Sequence, residues 1–159
     1  MKLEISEISN AQAKKITEWQ YNEPYNIYNG SGSDNEVEEI LSNNYFAVNN
    51  NNDLIGFYCY GKSAQVPAGN EVNAYADSSY IDIGIGLKPE LCGKGYGYNF
   101  FSNAIKFAQE LGHTKIRLTV ASFNTRAIRV YENVGFKKQM QFYKQDNSLL
   151  RPFTVMILK

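Results

Sequence analysis

The densest chemistry in this sequence lies between Leu87 and Gly97, L-K-P-E-L-C-G-K-G-Y-G. There Gly93, Gly95 and Gly97 punctuate the passage from an alternating strand pattern to a long amphipathic one. Glycines so placed let the backbone turn tightly and leave several N–H groups free, and the helix that follows directs its positive dipole end at the same spot. The result is an anion cradle suited to a diphosphate. A P-loop is excluded, because its G-x-x-x-x-G-K-[ST] pattern needs Ser or Thr after the lysine and Lys94 is followed by Gly95. A dinucleotide fingerprint fits poorly too: it needs an acidic residue ending the next strand, and Lys115–Val120 runs into Ala121-Ser122.

A second constellation follows in order: a strand pattern, then Asn124, Ala127, Tyr131 and the pair Gly135-Phe136. Together the two segments, spanning Tyr80–Phe136, resemble the acyl-CoA-binding region of the GNAT superfamily of N-acetyltransferases. That family's first motif, [Q/R]-x-x-G-x-[G/A] after a strand and a Pro-Glu step, stands here as Cys92-Gly93-Lys94-Gly95-Tyr96-Gly97. Cys92 replaces the usual Gln or Arg, which should weaken the cradle modestly, since the family grips phosphate mainly through main-chain N–H groups.

The resemblance implies acetyl-CoA as cofactor and a GNAT-like α/β (α+β) fold. That fold is a mixed, mainly antiparallel sheet flanked by helices, with a V-shaped cofactor cleft between two central strands. It also implies a bulge in the strand before the loop, which Gly84 and Gly86 would suit, although glycines placed for packing alone would read the same. Main-chain groups of Ile85 and Leu87 should pair with the pantetheine arm. An N–H near Ile85 should hold the thioester carbonyl, where it would stabilise an oxyanion. By family position Asn124, Ala127 and Tyr131 also meet the cofactor, and Tyr131 is the proton donor to the departing thiolate, with packing as its alternative role. Asn124 suits a helix cap as well as a pantetheine contact.

The implied activity is transfer of an acetyl group from acetyl-CoA to a primary amine by direct attack in a ternary complex. The amine must shed a proton, and three routes stay open: Asp82 on the strand bordering the cleft, Glu23 in the segment between the first two helices, or a chain of waters. Trp19, Tyr21, Tyr25 and Tyr28 form either an aromatic acceptor wall or a lid over the core, so Glu23, Tyr25 and Tyr28 are the candidate acceptor residues. The acceptor itself stays open among small amines, antibiotics, polyamines and protein N-termini or lysines. A non-catalytic CoA-binding module is opposed by the retained Tyr131, and an interaction domain without cofactor by both glycine motifs. A thiol-enzyme route through Cys92 is opposed by its place at the phosphate end. Homodimers are common in the family.

Composition agrees. Lys+Arg and Asp+Glu both number 16, so no net field recruits nucleic acid or an anionic membrane, and a strongly polycationic acceptor is mildly disfavoured. Apolar residues make up 43% and charged ones 20%, the globular range for a single domain over residues 1–159. No run approaches a membrane span and the N-terminus lacks a signal-peptide core, which points to the cytoplasm. Cys59, Cys92 and the single His113 share no metal-ligand spacing, so no metal is expected.

The elements that must hold these residues follow from periodicity. Strands are expected at Lys2–Ile8, Tyr45–Val48, Leu54–Tyr60, Tyr80–Leu87, Lys115–Val120, Phe136–Tyr143 and Pro152–Leu158. Helices are expected at Ala11–Gln20, from a Ser33-x-x-Glu36 capping box onward, at Gly95–Leu111 and at Thr125–Val134. Asn49–Asp53 reads as a hairpin turn, and Ser63–Ser79 as either a mobile loop or a border of the active site.

Overall fold

The computed structural model describes residues 2–158. Seven strands and four helices appear in the expected order. They are β1 (Glu4–Glu7), α1 (Asn10–Glu18), α2 (Asp34–Ser42), β2 (Tyr45–Asn50), β3 (Asp53–Tyr60), β4 (Ile81–Leu87), α3 (Gly97–Glu110), β5 (Ile116–Ala121), α4 (Thr125–Val134), β6 (Lys137–Asp146) and β7 (Leu149–Leu158). One mixed sheet runs β1-β2-β3-β4-β5-β7-β6, and β4 with β5 is its parallel pair, the remaining neighbours being antiparallel.

Helices cover both faces. On one, Phe100, Phe101, Ala104, Ile105 and Ala108 of α3 are buried against Ile83, Ile116, Leu118 and Val120, as their spacing predicts. Each large side chain contributes on the order of 1.5–3 kcal/mol by leaving water. The hydroxyls of Tyr58 and Tyr60 on β3 donate to the carbonyls of Phe100 and Ala104, which fixes α3, and with it the cradle at its start, against the sheet. On the other face α1 and α2 pack Ala13, Ile16, Val37 and Ile40 over β3.

Local details refine the sequence expectations. The reciprocal capping box belongs to Ser9 and Gln12 at α1. Ser33 caps α2 through Glu36 N–H, but the Glu36 carboxylate turns back to Ser31, so that box is half made. The Asn run narrows to a tight hairpin turn with Asn51 and Asn52 both at positive φ. Residues 63–79 carry a 3-10 turn at Pro67–Val72 and pack Ala74 and Tyr75 against Phe142, Phe153 and Val155. That segment is therefore a cover for the back of β5 and β7.

Candidate active site

The parallel pair is short. β4 and β5 are in register at Ile81↔Ile116 and Asp82↔Arg117 alone, whereas β3 stays paired to β4 as far as Leu87 and β7 stays paired to β5 as far as Ala121. The two central strands thus separate beyond Asp82 and leave a V open at their C-terminal ends. Ile81 N–H donates to Lys115 O at 3.0 Å on the β5 side, and Lys88 N–H to Ile55 O at 2.7 Å on the β3 side. Strand alternation then turns the main-chain groups of Ile83, Ile85 and Leu87 into the opening.

Gly84 and Gly86 do not make a bulge, contrary to expectation: the β3–β4 register passes through both without a shift. They are there because β3 needs the room. A Cβ at Gly86 would lie 2.1 Å from the Phe57 ring, and one at Gly84 would lie 2.7 Å from Cys59 Sγ.

The cradle closes the open end of β4. Gly93 and Gly95 sit at φ +73° and +87°, in the left-handed region that glycine occupies without cost. Cys92 Sγ lies 3.6 Å from the carbonyls of both Leu87 and Lys88, holding the chain as it leaves the strand. Tyr96 provides no side-chain cap to α3, and among the described residues the N–H groups of positions 93–99 have no acceptor. Lys94 and Tyr96 stand exposed on the rim. Burial raises the Cys92 thiol above its ordinary value and Arg126 opposes the shift, so the residue is a neutral thiol and not a nucleophile.

Across the V, Asn124 Oδ1 accepts from Ala127 N–H at 3.1 Å and caps α4, while its amide donates to the Tyr28 hydroxyl at 3.2 Å. Tyr131 lies about two turns further along the same face of α4, its ring 4.5 Å from Phe101. Burial, and then the neighbouring Tyr28, push the Tyr131 phenol well above its usual range, so it keeps its proton. The stretch 21–28 straps the mouth. Tyr21 OH donates to Leu87 O at 2.8 Å on the β4 side, and Tyr25 and Tyr28 rest on Phe123 on the β5 side, with ring centroids 5.7 and 6.4 Å apart. Trp19 takes no part in this strap. It stacks on Phe57 under α1, so the aromatic cluster expected from the sequence divides between core and mouth.

The sequence model of the Acetyltransferase (GNAT) family matches residues 13–136, most of the chain. The chain belongs to the GNAT acetyltransferase family. No curated protein matches, but solved structures share the fold. A GNAT family acetyltransferase from Bacillus anthracis aligns at 18% identity and TM-score 0.72 over 99% of this chain and 95% of that one. A Sinorhizobium meliloti phosphinothricin acetyltransferase in complex with AcCoA aligns at 18% and 0.68 over 99% and 88%. A chimeric spermidine N-acetyltransferase from Vibrio cholerae and hSSAT aligns at 19% and 0.71 over 99% and 95%.

As a GNAT acetyltransferase the chain is an acyltransferase enzyme with acetyl-CoA as its acetyl donor. Its residues fit that donor: consecutive free N–H groups at the cradle suit a diphosphate, and a free strand edge in the V suits an extended amide-bearing arm. Among the described residues no helix is long and apolar enough to cross a membrane, and no His, Cys, Asp and Glu group is arranged to hold a metal.

Two residues change standing in this GNAT site. Asp82 faces away from the α3 side of β4. Its carboxylate accepts from Arg117 Nε and Nη2 at 2.7 Å each and from Gln65 Nε2 at 2.9 Å, with both ion-pair partners 2% exposed. A 2% exposed carboxylate that accepts three hydrogen bonds and is paired with Arg117 is built as a structural ion pair, which argues against Asp82 as the base. Arg126 was not singled out from the sequence. Its Nη1 stands 3.0 Å from where a Gly93 Cβ would be, and its guanidinium lies 4.4 Å over the Tyr25 ring. The signal was present: a cation in the first turn of α4 runs against the helix dipole, an arrangement that makes sense beside an anion.

Proposed function

We propose that this GNAT enzyme transfers the acetyl group of acetyl-CoA to a primary amine by direct attack, with both reactants bound together. The observation that carries the reading is the V between β4 and β5, edged by free main-chain groups and ending on the glycine cradle. Gly93, Lys94, Gly95, Tyr96 and Gly97 hold the diphosphate through N–H groups, Cys92 shapes the turn, and Arg126 adds a positive charge beside it. The main chain of Ile85 and Leu87 positions the pantetheine arm, with the Ile85 N–H directed at the thioester carbonyl as negative charge develops there. Leu87 O is already engaged by Tyr21, so Leu87 has only its N–H to offer.

Acetyl-CoA supplies the acetyl group as a thioester. The N–C bond forms as the C–S bond breaks, the amine proton leaves to solvent or to Glu23, and Tyr131 gives its proton to the sulfur. Tyr131 suits this task because burial keeps the phenol protonated at neutral pH. Glu23 is exposed on the strap and free of ion pairs among the described residues, so it remains the candidate base after Asp82. Tyr25 and Tyr28 form the acceptor wall, with Asn124 and Ala127 holding the α4 turn beneath it.

The neighbouring folds are named for acceptors as different as phosphinothricin and spermidine, so the shared frame does not select one. The test is calorimetry with acetyl-CoA followed by thiol release in the presence of an amine panel. Binding with amine-dependent release is expected. Binding with no release under any amine would leave only a CoA-binding module.

A further inference from the structure

β7 brings one more cation to the mouth of the V. Residues 151, 153 and 155 alternate onto one face of this strand, and Phe153 and Val155 on that face pack with Ala121, while Ile27 of the strap lies against the same cluster. Arg151 continues that face of β7 on the side where Ile27 of the strap packs, and the Tyr28 hydroxyl of the same strap is held by Asn124 at the head of the Tyr131 helix. The Arg151 charge also acts on the Tyr28 phenol, lowering what burial raises there.

Arg151 is poorly satisfied where it stands. Its Nε is shut off from water and has no hydrogen-bond partner among the described residues. The nearest carboxylate, Asp146 across the β6–β7 hairpin, is 3.8 Å away and about half exposed, while the residue opposite Arg151 in register is another cation, Lys144. A shielded Nε–H without an acceptor costs free energy, and because the side chain is 25% exposed a carboxylate arriving with a ligand can reach the guanidinium and offset that cost through a charge-assisted hydrogen bond. A polycation brought to the same place would meet like charge.

We infer that the acceptor is a small amine that also carries a carboxylate, and that Arg151 is the residue that selects it. This rests on the catalytic reading above and names the substrate class of that same site. The amine enters beneath Tyr28 toward Tyr131, while its carboxylate turns to the exposed part of the Arg151 guanidinium at the β7 wall and draws it from Asp146. Asp146 then competes with the ligand for Arg151 and is not its structural partner.

The experiment uses the full chain with acetyl-CoA and follows thiol release. Proteinogenic α-amino acids, β-alanine and γ-aminobutyrate are each paired with their carboxamides, and spermidine serves as the polycationic control. For the best acceptor, kcat/KM of the acid should exceed that of its amide by roughly 10- to 100-fold, the range of a charged hydrogen bond. Arg151→Gln should bring acid and amide to within about 2-fold, chiefly by raising KM for the acid. Arg151→Lys should keep part of the preference, and Asp146→Asn should preserve or sharpen it.

Acids and amides used equally by the unaltered protein, or spermidine used best, would overturn the inference while leaving acetyl transfer intact. The same holds if Arg151→Gln and Asp146→Asn lower the melting temperature alike and leave the preference unchanged, since the pair would then be a hairpin brace. Thiol release with no amine at all, despite acetyl-CoA binding, would overturn both this inference and the catalytic reading.

Discussion

Tyr131 is both a core residue and the proposed acid, and these roles reinforce one another. Packing against Phe101 and Phe136 removes water from the phenol, and that desolvation raises its pKa, which keeps the proton in place for transfer. Tyr131→Phe retains the ring and removes only the proton, so kcat should fall by roughly 10²–10⁴ with little change in acetyl-CoA affinity. Full turnover in the Phe variant, with chemistry limiting, would reduce the residue to packing. The sign of the shift also fixes the pH profile. Because the folded pKa lies above the ordinary phenol value of about 10, kcat/KM should rise as the amine deprotonates and show no Tyr131-dependent fall below about pH 10. A descending limb near pH 8 that disappears in Tyr131→Phe would contradict the assignment.

At the scale of elements, the loop and the strap divide the work between cofactor and acceptor. A Cβ at Gly95 meets nothing within 4 Å, so Gly95→Val acts chiefly through the φ of +87°. That conformation costs an L-residue about 1–2 kcal/mol, and relieving it would turn the N–H groups away, so acetyl-CoA should bind roughly tenfold more weakly or worse while the domain stays folded. An unchanged dissociation constant would remove the loop from the cradle. For the strap, Tyr25→Ala and Tyr28→Ala should raise the amine KM and spare acetyl-CoA affinity, the pattern of lost uniform binding, and Glu23→Gln should lower kcat if its carboxylate takes the proton. Wild-type kinetics in all three would place the acceptor elsewhere. These elements were legible in the sequence to different depths. The strands and helices followed from alternation and from the α3 apolar stripe, and the cradle from glycine spacing. Periodicity could not say that Gly84 and Gly86 yield to Phe57 and Cys59, or that Trp19 leaves the tyrosines for the core. Those facts depend on residues brought together from separate strands and helices.

Over the whole molecule the V needs an apex, and the Asp82–Arg117 pair occupies it, at the last register position before β4 and β5 part. It is enclosed on every side. Gln65 and the Asp77 carbonyl complete its hydrogen bonds, and the rings of Tyr75 and Tyr80 lie 5.3 and 5.4 Å from the guanidinium carbon, so the segment that covers the back of β5 and β7 also seals this joint. From the sequence Asp82 was one carboxylate beside a cleft; its partner is 35 residues away and visible only once the parallel pair is formed. The distinction between joint and base is measurable. Asp82→Asn leaves a buried guanidinium without its counter-charge and should cost about 3–5 kcal/mol, lowering the melting temperature by roughly 6–20 °C, while turnover per folded molecule well below the melt should persist. Replacing both partners, Asp82→Leu with Arg117→Met, should regain much of that loss, because an apolar pair of similar volume avoids burying charge at all. If instead Asp82→Asn melts like the unaltered protein and has no turnover, the carboxylate is the base after all and the apex is held by the strands alone.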